Sequence, residues 1–497
     1  MALFLFFSIL LGILTHAVVH GFEQQANALS SGSCERACDI LHSQFGDALH
    51  YPNNDPGFVL WDAKQNEVRY ACRIEPESSA DVAAVLSLLV NEWCRFGVKG
   101  GGHSRYPDDS NSVGGVTIDL NRLNTVELLN NSSRMRVGAG ATGSQVYDAL
   151  EPYGLAFVGP RTGTVGVGGF TLGGGTSAVT AEYGWALDNV FEYEVVLANA
   201  TVVTVNEDQH PDLYFALRGG ANNFGIVTYF QLRVFAQGPV LDLDRSYDPN
   251  VTDIFLKEAY DIFSVQDTNP QVGFESVFTY IPQQNRFLLR GTQRYAQPVR
   301  NPPVFERLNR IPFQSESGGI GTLASFARSN APLGRSRYLF NTITHYPSPE
   351  LSKRAFQILR QEVQSVANIT GFSANLISYS IPARAISRMQ ERGGNALGIN
   401  VKGHLILNNL SLAWAHAADD EQVRLFAARF LQRYQVAARE LGLYHPFVYV
   451  NYADKGQDVF SSYGERNKRR LIEIQRSVDP MGVFTSKGLW RGFFKLL

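Results

Sequence analysis

The sequence predicts an α+β fold in two large parts, and three observations carry that expectation. The chain has 497 residues, about three domains' worth or two large ones. Its 44 % hydrophobic and 18 % charged residues suit a well-buried globular chain and exclude a disordered one. Its 45 glycines cluster between residues 97 and 225; beyond Gly238-Pro239 they thin out, and long helical patterns alternate with aromatic strands.

Residues 1–21, MALFLFFSILLGILTHAVVHG, read as a secretory signal. The apolar run Leu3 to Leu14 is shorter than the roughly 20 residues that span a bilayer, and no later stretch is long and apolar enough to do so. Residues 34 to 50 read as an amphipathic helix. A second runs over 79 to 96, opened by Ser78-x-x-Asp81 and closed by Gly97. Strands are expected at Phe96 to Lys99, Gly115 to Leu120, Arg134 to Val137 and Phe224 to Phe235, with a helix at Ser144 to Leu150 and a hairpin about Asn199-Ala200. These belong to a first unit over 22–238. In 239–440, helical patterns (Asp253 to Phe263, Ser352 to Ala367, Asp419 to Leu441) alternate with strand patterns (Phe274 to Tyr280, Phe287 to Tyr295, Gly403 to Ala413). This predicts an antiparallel sheet with helices on one side. The tail, 441–497, is too small to fold alone and is expected to pack back on the first unit.

Composition also limits the partners. Lys plus Arg number 44 against 46 Asp plus Glu, so no basic excess drives binding to nucleic acid, and no membrane span is expected. Cys34, Cys38, Cys72 and Cys94 are even in number and early in the mature chain, which fits two disulfides in an oxidising compartment, with three connectivities open. The x3 spacing of the first pair argues against both a zinc site and a redox motif. Sequons occur at Asn130, Asn131, Asn199, Asn250, Asn368 and Asn409.

Gly138-Ala-Gly140-Ala-Thr-Gly143 matches a dinucleotide fingerprint. It lacks the acidic residue about 20 positions on, which leaves a ribose without its partner, and no βαβ unit surrounds it. No P-loop pattern occurs. Three other clusters are more informative: Lys99-Gly-Gly-Gly-His-Ser104, Gly163 to Gly175, and Arg218 to Val227. Glycines let backbone approach a ligand closely and turn N–H groups to one side, which suits a pyrophosphate. His103 follows the glycine triplet directly, where an imidazole can act as a nucleophile toward a cofactor ring.

These stretches, with Gly115-Val-Thr-Ile-Asp-Leu120, Val137-Gly-Ala-Gly140, Val165-Gly-Val-Gly-Gly169, Leu172-Gly-Gly-Gly175, Asp188-Asn-Val190, Glu194-Val-Val-Leu197, Gly220 to Val227, Tyr449-Val-Asn-Tyr452, Asp479-Pro480 and Val483-Phe484, resemble the FAD-linked oxidoreductases with a p-cresol methylhydroxylase (PCMH)-type flavin domain. The likeness is to the vanillyl-alcohol oxidase superfamily, in its berberine bridge enzyme-like, fungal branch. It implies a two-part PCMH-type FAD-binding domain, completed by the C-terminal segment, plus a substrate domain. It implies that Gly100, Gly101, Gly102, His103 and Ser104 wrap the FAD pyrophosphate, with His103 joined covalently to the flavin. Gly163, Val165, Gly166, Gly168, Gly169, Ile226 and Val227 would line FAD, and Asn451 would lie by the pyrimidine edge. Relatives with a second link use a Cys where Thr162 stands here, so one covalent link is expected. Arg161 stands where relatives often carry a glycine-rich pair, and the C-terminal Gly488 to Leu496 also departs from the family. By the same likeness, Cys34 or Cys38 pairs with Cys94, leaving the other to Cys72.

Oxidation of a C–H beside O–H or N–H needs a hydride acceptor, which FAD provides, and a proton acceptor. Tyr452 and Tyr449 are the candidates for the latter. A tyrosine, with an ordinary pKa near 10, needs a positive charge or donor beside it to serve as a base at neutral pH. The branch's eponymous enzyme uses a substrate-domain Glu, for which the sequence offers no clear counterpart. The expected function is a secreted oxidase of a small organic molecule, with O2 as electron acceptor and Phe274, Phe278, Tyr280, Phe287 and Trp414 as a possible apolar pocket. A carbohydrate oxidase and a non-catalytic FAD-containing binding protein are the alternatives.

Overall fold

The computed structural model describes residues 32–129, 132–329 and 336–497. The signal reading over 1–21 and the sequons at Asn130 and Asn131 lie outside the described residues. The described residues build four sheets. A small one has the order Leu49–His50, Cys72–Ile74, Val116–Asp119, Phe96–Lys99, with its last three strands parallel. A five-stranded antiparallel sheet follows the order Val126–Leu128, Arg134–Gly138, Ile226–Arg233, Val190–Val196, Val202–Val205. A third joins Phe235–Ala236 to Leu155–Ala156.

The fourth sheet has eight antiparallel strands. Its order is Ser315–Gly321, Val240–Tyr247, Arg286–Tyr295, Val272–Ile281, Ser373–Ile381, Leu405–Trp414, Arg337–His345, Tyr444–His445. Helices Thr252–Val265, Pro349–Glu362 and Asp420–Glu440 cover one face and share one apolar core with it. The mixed α+β architecture follows from this alternation of 3.6- and 2-residue periods. The side chains at Phe274, Phe278, Tyr280, Phe287 and Trp414 all belong to this core. They fill the space between sheet and helices, so the apolar pocket expected from them is corrected: Glu275, beside Phe274 in sequence, points to the opposite face.

The helix beginning at residue 32 ends at 45, and its continuation to 50 is a 3-10 turn and a short strand. The capped helix Ser79–Asn91 also stops early. Trp93 takes a positive φ of 52° and Cys94 is drawn into a disulfide, so Gly97 lies inside a strand rather than closing the helix. The disulfides are Cys34–Cys94 and Cys38–Cys72. Phe447, Tyr449, Val483, Phe484 and Trp490 of the tail are buried with the core of residues 34–234. Asp479 ties the tail's end by accepting from the backbone N–H of Val483 and Phe484, both at 2.8 Å. Asn409 is buried on a central strand, whereas Asn199, Asn250 and Asn368 are exposed.

Among the described residues no helix is long and apolar enough to cross a membrane. In the chain-entropy description, a disulfide closing the 60-residue span from Cys34 to Cys94 stabilises the fold by about 3–4 kcal/mol. The double variant Cys34→Ala/Cys94→Ala is expected to lose that much, read as a lowered urea midpoint with a steeper slope, because the unfolded chain expands without the cross-link.

Candidate active site

The strand Phe96–Lys99 delivers the chain into Gly100-Gly101-Gly102-His103. Gly101 touches Gly166: a Cβ on either would stand 2.2 Å from the backbone nitrogen of the other. Only two glycines let these backbones meet. The contact sets His103 against the loop before the short helix Val167–Leu172, where its Nε2 meets the Thr164 hydroxyl at 2.7 Å. Trp61 stacks on the imidazole, with centroids 4.8 Å apart, and Tyr338 stacks on Trp61 at 3.8 Å. Burial, reinforced by the Arg105 guanidinium, pushes the His103 pKa down to about 3. The ring is therefore neutral at physiological pH. With Nε2 engaged, no hydrogen bond to Nδ1 forms among the described residues.

Arg105 joins this loop to the tail. Its guanidinium donates to the carbonyls of Asn451 at 3.2 Å and Ala453 at 2.9 Å. The Ser104 hydroxyl is committed to Asp109, so Ser104 offers a ligand its backbone. Asn451 donates to the Phe170 carbonyl and to the Tyr449 oxygen.

The two tyrosines part company. Tyr449 is 1 % exposed, and its oxygen accepts from Gly175 N–H at 2.9 Å, Thr176 N–H at 3.3 Å and Asn451 Nδ2 at 2.9 Å. Burial pushes its pKa up. Through these bonds Tyr449, the other tyrosine expected as a proton acceptor, joins the Gly173–Thr176 turn to the tail. Tyr452 is half-buried, and its hydroxyl accepts from Arg161 Nη2 at 3.3 Å. Its ring lies near Tyr379 and Phe340, each with centroids 6.1 Å away. Arg161 also pairs with Glu275 at 3.0 Å, and Glu275 with Arg294 at 2.8 Å. Arg161, Glu275, Arg294 and Tyr379 line a cavity together with Thr176, Ser177 and Gln266.

The cation beside Tyr452 is Arg161, from a loop where the sequence marked only a departure from relatives. Glu275, Tyr379, Phe340 and Trp61 carry no local signal; strand alternation alone would have placed Glu275 opposite Phe274.

The glycines sort by what a Cβ would meet. Gly138 and Gly140 of the fingerprint-like stretch press on the carbonyls of Leu123 and Leu120, at 2.1 and 1.7 Å, so close backbone packing accounts for them. Gly163 is packed against Ser144 and Ala327, and its N–H is taken by the Ala327 carbonyl at 2.9 Å, which leaves no donor there for a cofactor. The Val165 N–H is likewise taken, by Thr162. Gly168 abuts the Ala139 carbonyl. Gly169 differs: open space surrounds the position of its Cβ. Ile226 and Val227 pair with Val196 and Val195 on one side. On the other side the partner strand ends at Gly138, opposite Tyr229. An exposed glycine on a helix's first turn, an unpaired strand edge and a neutral imidazole fit a dinucleotide carrying a ring system at His103.

A family model described as FAD binding domain matches residues 70–206. FAD-dependent monooxygenase tpcD of Cochliobolus heterostrophus is 34 % identical over 486 residues, covering 92 % of this chain and 93 % of that protein. FAD-dependent monooxygenase FUP4 of Fusarium proliferatum is 31 % identical, covering 91 % and 93 %. Among solved structures, glucooligosaccharide oxidase from Acremonium strictum, described with a 6-S-cysteinyl, 8α-N1-histidyl FAD, superposes with a TM-score of 0.73 at 19 % identity, covering 91 % of this chain and 97 % of that one. Berberine bridge enzyme-like 1 from Physcomitrella patens gives 0.73 at 20 % identity, covering 90 % and 97 %. The chain belongs to this family of FAD-binding oxidoreductases, with the berberine bridge enzyme-like fold.

Gly169→Val is expected to leave the thermal midpoint of the flavin-free protein within about 1 °C, because the added side chain meets nothing. Its flavin content, read from the ratio of visible to ultraviolet absorbance, should fall at least tenfold.

Proposed function

We propose that the protein is a secreted oxidase that carries FAD on a single covalent link through His103 and oxidises a small organic molecule, with O2 as electron acceptor. The reading assigns 22–238 and 441–497 to the flavin-binding part and 239–440 to the substrate-binding part. The observation that carries it is the pairing of Tyr452 with Arg161 on the wall that also holds Trp61 and the neutral His103. FAD, when bound, supplies the hydride acceptor.

The chain's own residues do the rest. His103, neutral and stacked on Trp61, keeps a ring nitrogen unprotonated for attachment, while Thr164 holds the other. Thr162 brings a hydroxyl where a second link needs a thiolate. Tyr452, as the phenolate that the Arg161 cation beside it would favour, would receive the proton of the substrate's O–H or N–H at Oη and become the neutral phenol. Arg161 itself stays charged, because Glu275 and the phenolic groups favour its cation over the cost of burial. Gly100, Gly101, Gly102 and the backbone of Ser104 would cradle the pyrophosphate. Gly166, Gly168, Gly169, Ile226 and Val227 would border the dinucleotide, and Asn451 would border the flavin. Two disulfides and the apolar leader support the secretory route.

His103→Ala is expected to yield a protein that releases all its flavin on acid precipitation, whereas the unaltered chain stays yellow. Retained colour in the variant overturns the link. Tyr452→Phe should keep its flavin and slow anaerobic flavin reduction by about 10²- to 10⁴-fold, the usual worth of a positioned base, followed by stopped-flow absorbance. Attachment of FAD to flavin-free protein should proceed at a flat rate between pH 5 and 8. His103, with its pKa near 3, gains no proton anywhere in that window.

A further inference from the structure

The cavity beside Tyr452 contains more charge than a small-molecule site usually tolerates. Arg161 and Arg294 both line it, with Glu275 between them at 3.0 and 2.8 Å. On its far side Arg294 meets Asp242 at 2.7 Å. The four groups alternate in sign, and each is largely shielded: their side chains keep between 12 and 18 % of their exposure. Burial opposes ionisation of Glu275, yet the Arg294 and Arg161 guanidiniums outweigh it and hold the carboxyl below its usual range. Arg290 acts on Glu275 and Asp244 on Asp242 from the flanks, one charge of each sign, so this row of groups carries no net charge.

A carboxylate entering this cavity gains little. Both guanidiniums already face a carboxylate, and the incoming anion would lie near Glu275 while losing its own hydration. A neutral hydroxyl avoids that cost. It would find the polar side chains of Thr176, Ser177 and Gln266 on the cavity wall. We infer that Glu275 is the specificity-determining residue of this site: by neutralising Arg161 and Arg294 it reserves the cavity, whose volume of about 30 Å³ admits a single small group, for the hydroxyl end of an uncharged molecule and turns away the carboxylate end of its counterpart. The inference rests on the proposed function, since it takes the cavity beside Tyr452 as the place where the substrate sits.

The test uses flavin-loaded protein at pH 7.5 and two matched pairs of probes, benzyl alcohol with benzoate and cellobiose with cellobionate. Binding is read from the perturbation of the flavin absorption band, and each pair is compared in the unaltered chain and in Glu275→Gln. The pairs distinguish an aromatic from a sugar-like neutral ligand. In the unaltered chain, each carboxylate should bind at least tenfold more weakly than its neutral partner, or not at all. In Glu275→Gln, at least one carboxylate should gain tenfold or more. Carboxylates that bind the unaltered chain as well as their partners overturn the inference, as does a variant with no gain. Should Glu275→Gln fail to fold, Asp242→Asn frees Arg294 instead and should produce the same gain; its absence there counts equally against the inference. A chain that holds no flavin at all would sink the proposed function, whereas a flavoprotein that binds both members of each pair alike would sink only the role of Glu275.

Discussion

The contact between the backbones of Gly101 and Gly166 is the constraint on which the site depends. Two loops that carry different functional groups meet there with no side chain between them. The first brings His103; the second brings Thr164 and, a few residues earlier, Arg161. A methyl at either glycine would sit 2.2 Å from backbone, which cannot yield as a flexible side chain can. The loops would have to separate, and His103 would lose Thr164 while Arg161 moved relative to Tyr452. One steric condition thus sets the positions of the proposed tether and the proposed base together.

The charges around the cavity show why stability is a poor explanation for their presence. Burying an ion pair costs desolvation that its attraction barely repays, and an apolar filling of similar size often does as well or better. Here four charged groups are buried in a row at the mouth of a sheet, beside the tyrosine with a cationic neighbour. A row of this kind does fix geometry. Arg161 is held by Glu275 on one side and spends an N–H on Tyr452 on the other, so its guanidinium has little freedom to swing away. The tail contributes to the same arrangement. Arg105 clamps the carbonyls of Asn451 and Ala453, which keeps the turn bearing Tyr452 against the loop bearing His103.

What was legible in the sequence was local. Glycine clusters, a histidine behind three of them, helix caps and strand periods are read within a dozen residues, and the α+β fold and a dinucleotide-like ligand follow from them, whereas the flavin came from the family resemblance that these stretches carry. The partners were not legible, because they come together only in three dimensions. Arg161 and Tyr452 are 291 positions apart, and Arg161 drew notice only as a departure. The aromatic set chosen as a pocket failed for a related reason. Counting aromatics along 274–287 ignores which face each occupies, and on a strand the alternate residue, Glu275, reaches the other side. The helix end at Asn91 was hidden because a tryptophan, not a glycine, takes the left-handed conformation that follows it, held there by the neighbouring disulfide at Cys94.

Tyr449 and Tyr452 show how far environment outweighs residue type. They lie three positions apart at one short 3-10 turn, with rings 4.8 Å apart at nearly right angles. Tyr449 faces inward, takes three N–H donors and is shut off from solvent, so its oxygen is a fixed acceptor in a structural joint. Tyr452 lies beside Arg161 and Tyr379, which line the cavity, keeps partial exposure and accepts an N–H from the Arg161 cation. The first arrangement denies the phenol any reacting partner. The second places the Arg161 guanidinium beside the oxygen, the arrangement on which the proposed role of Tyr452 as base rests. A turn that advances the chain by about one full rotation would normally present both rings to the same surroundings. What separates them here is that the tail folds against two different walls: the glycine turn after Leu172 receives Tyr449, and the charged row on the sheet receives Tyr452.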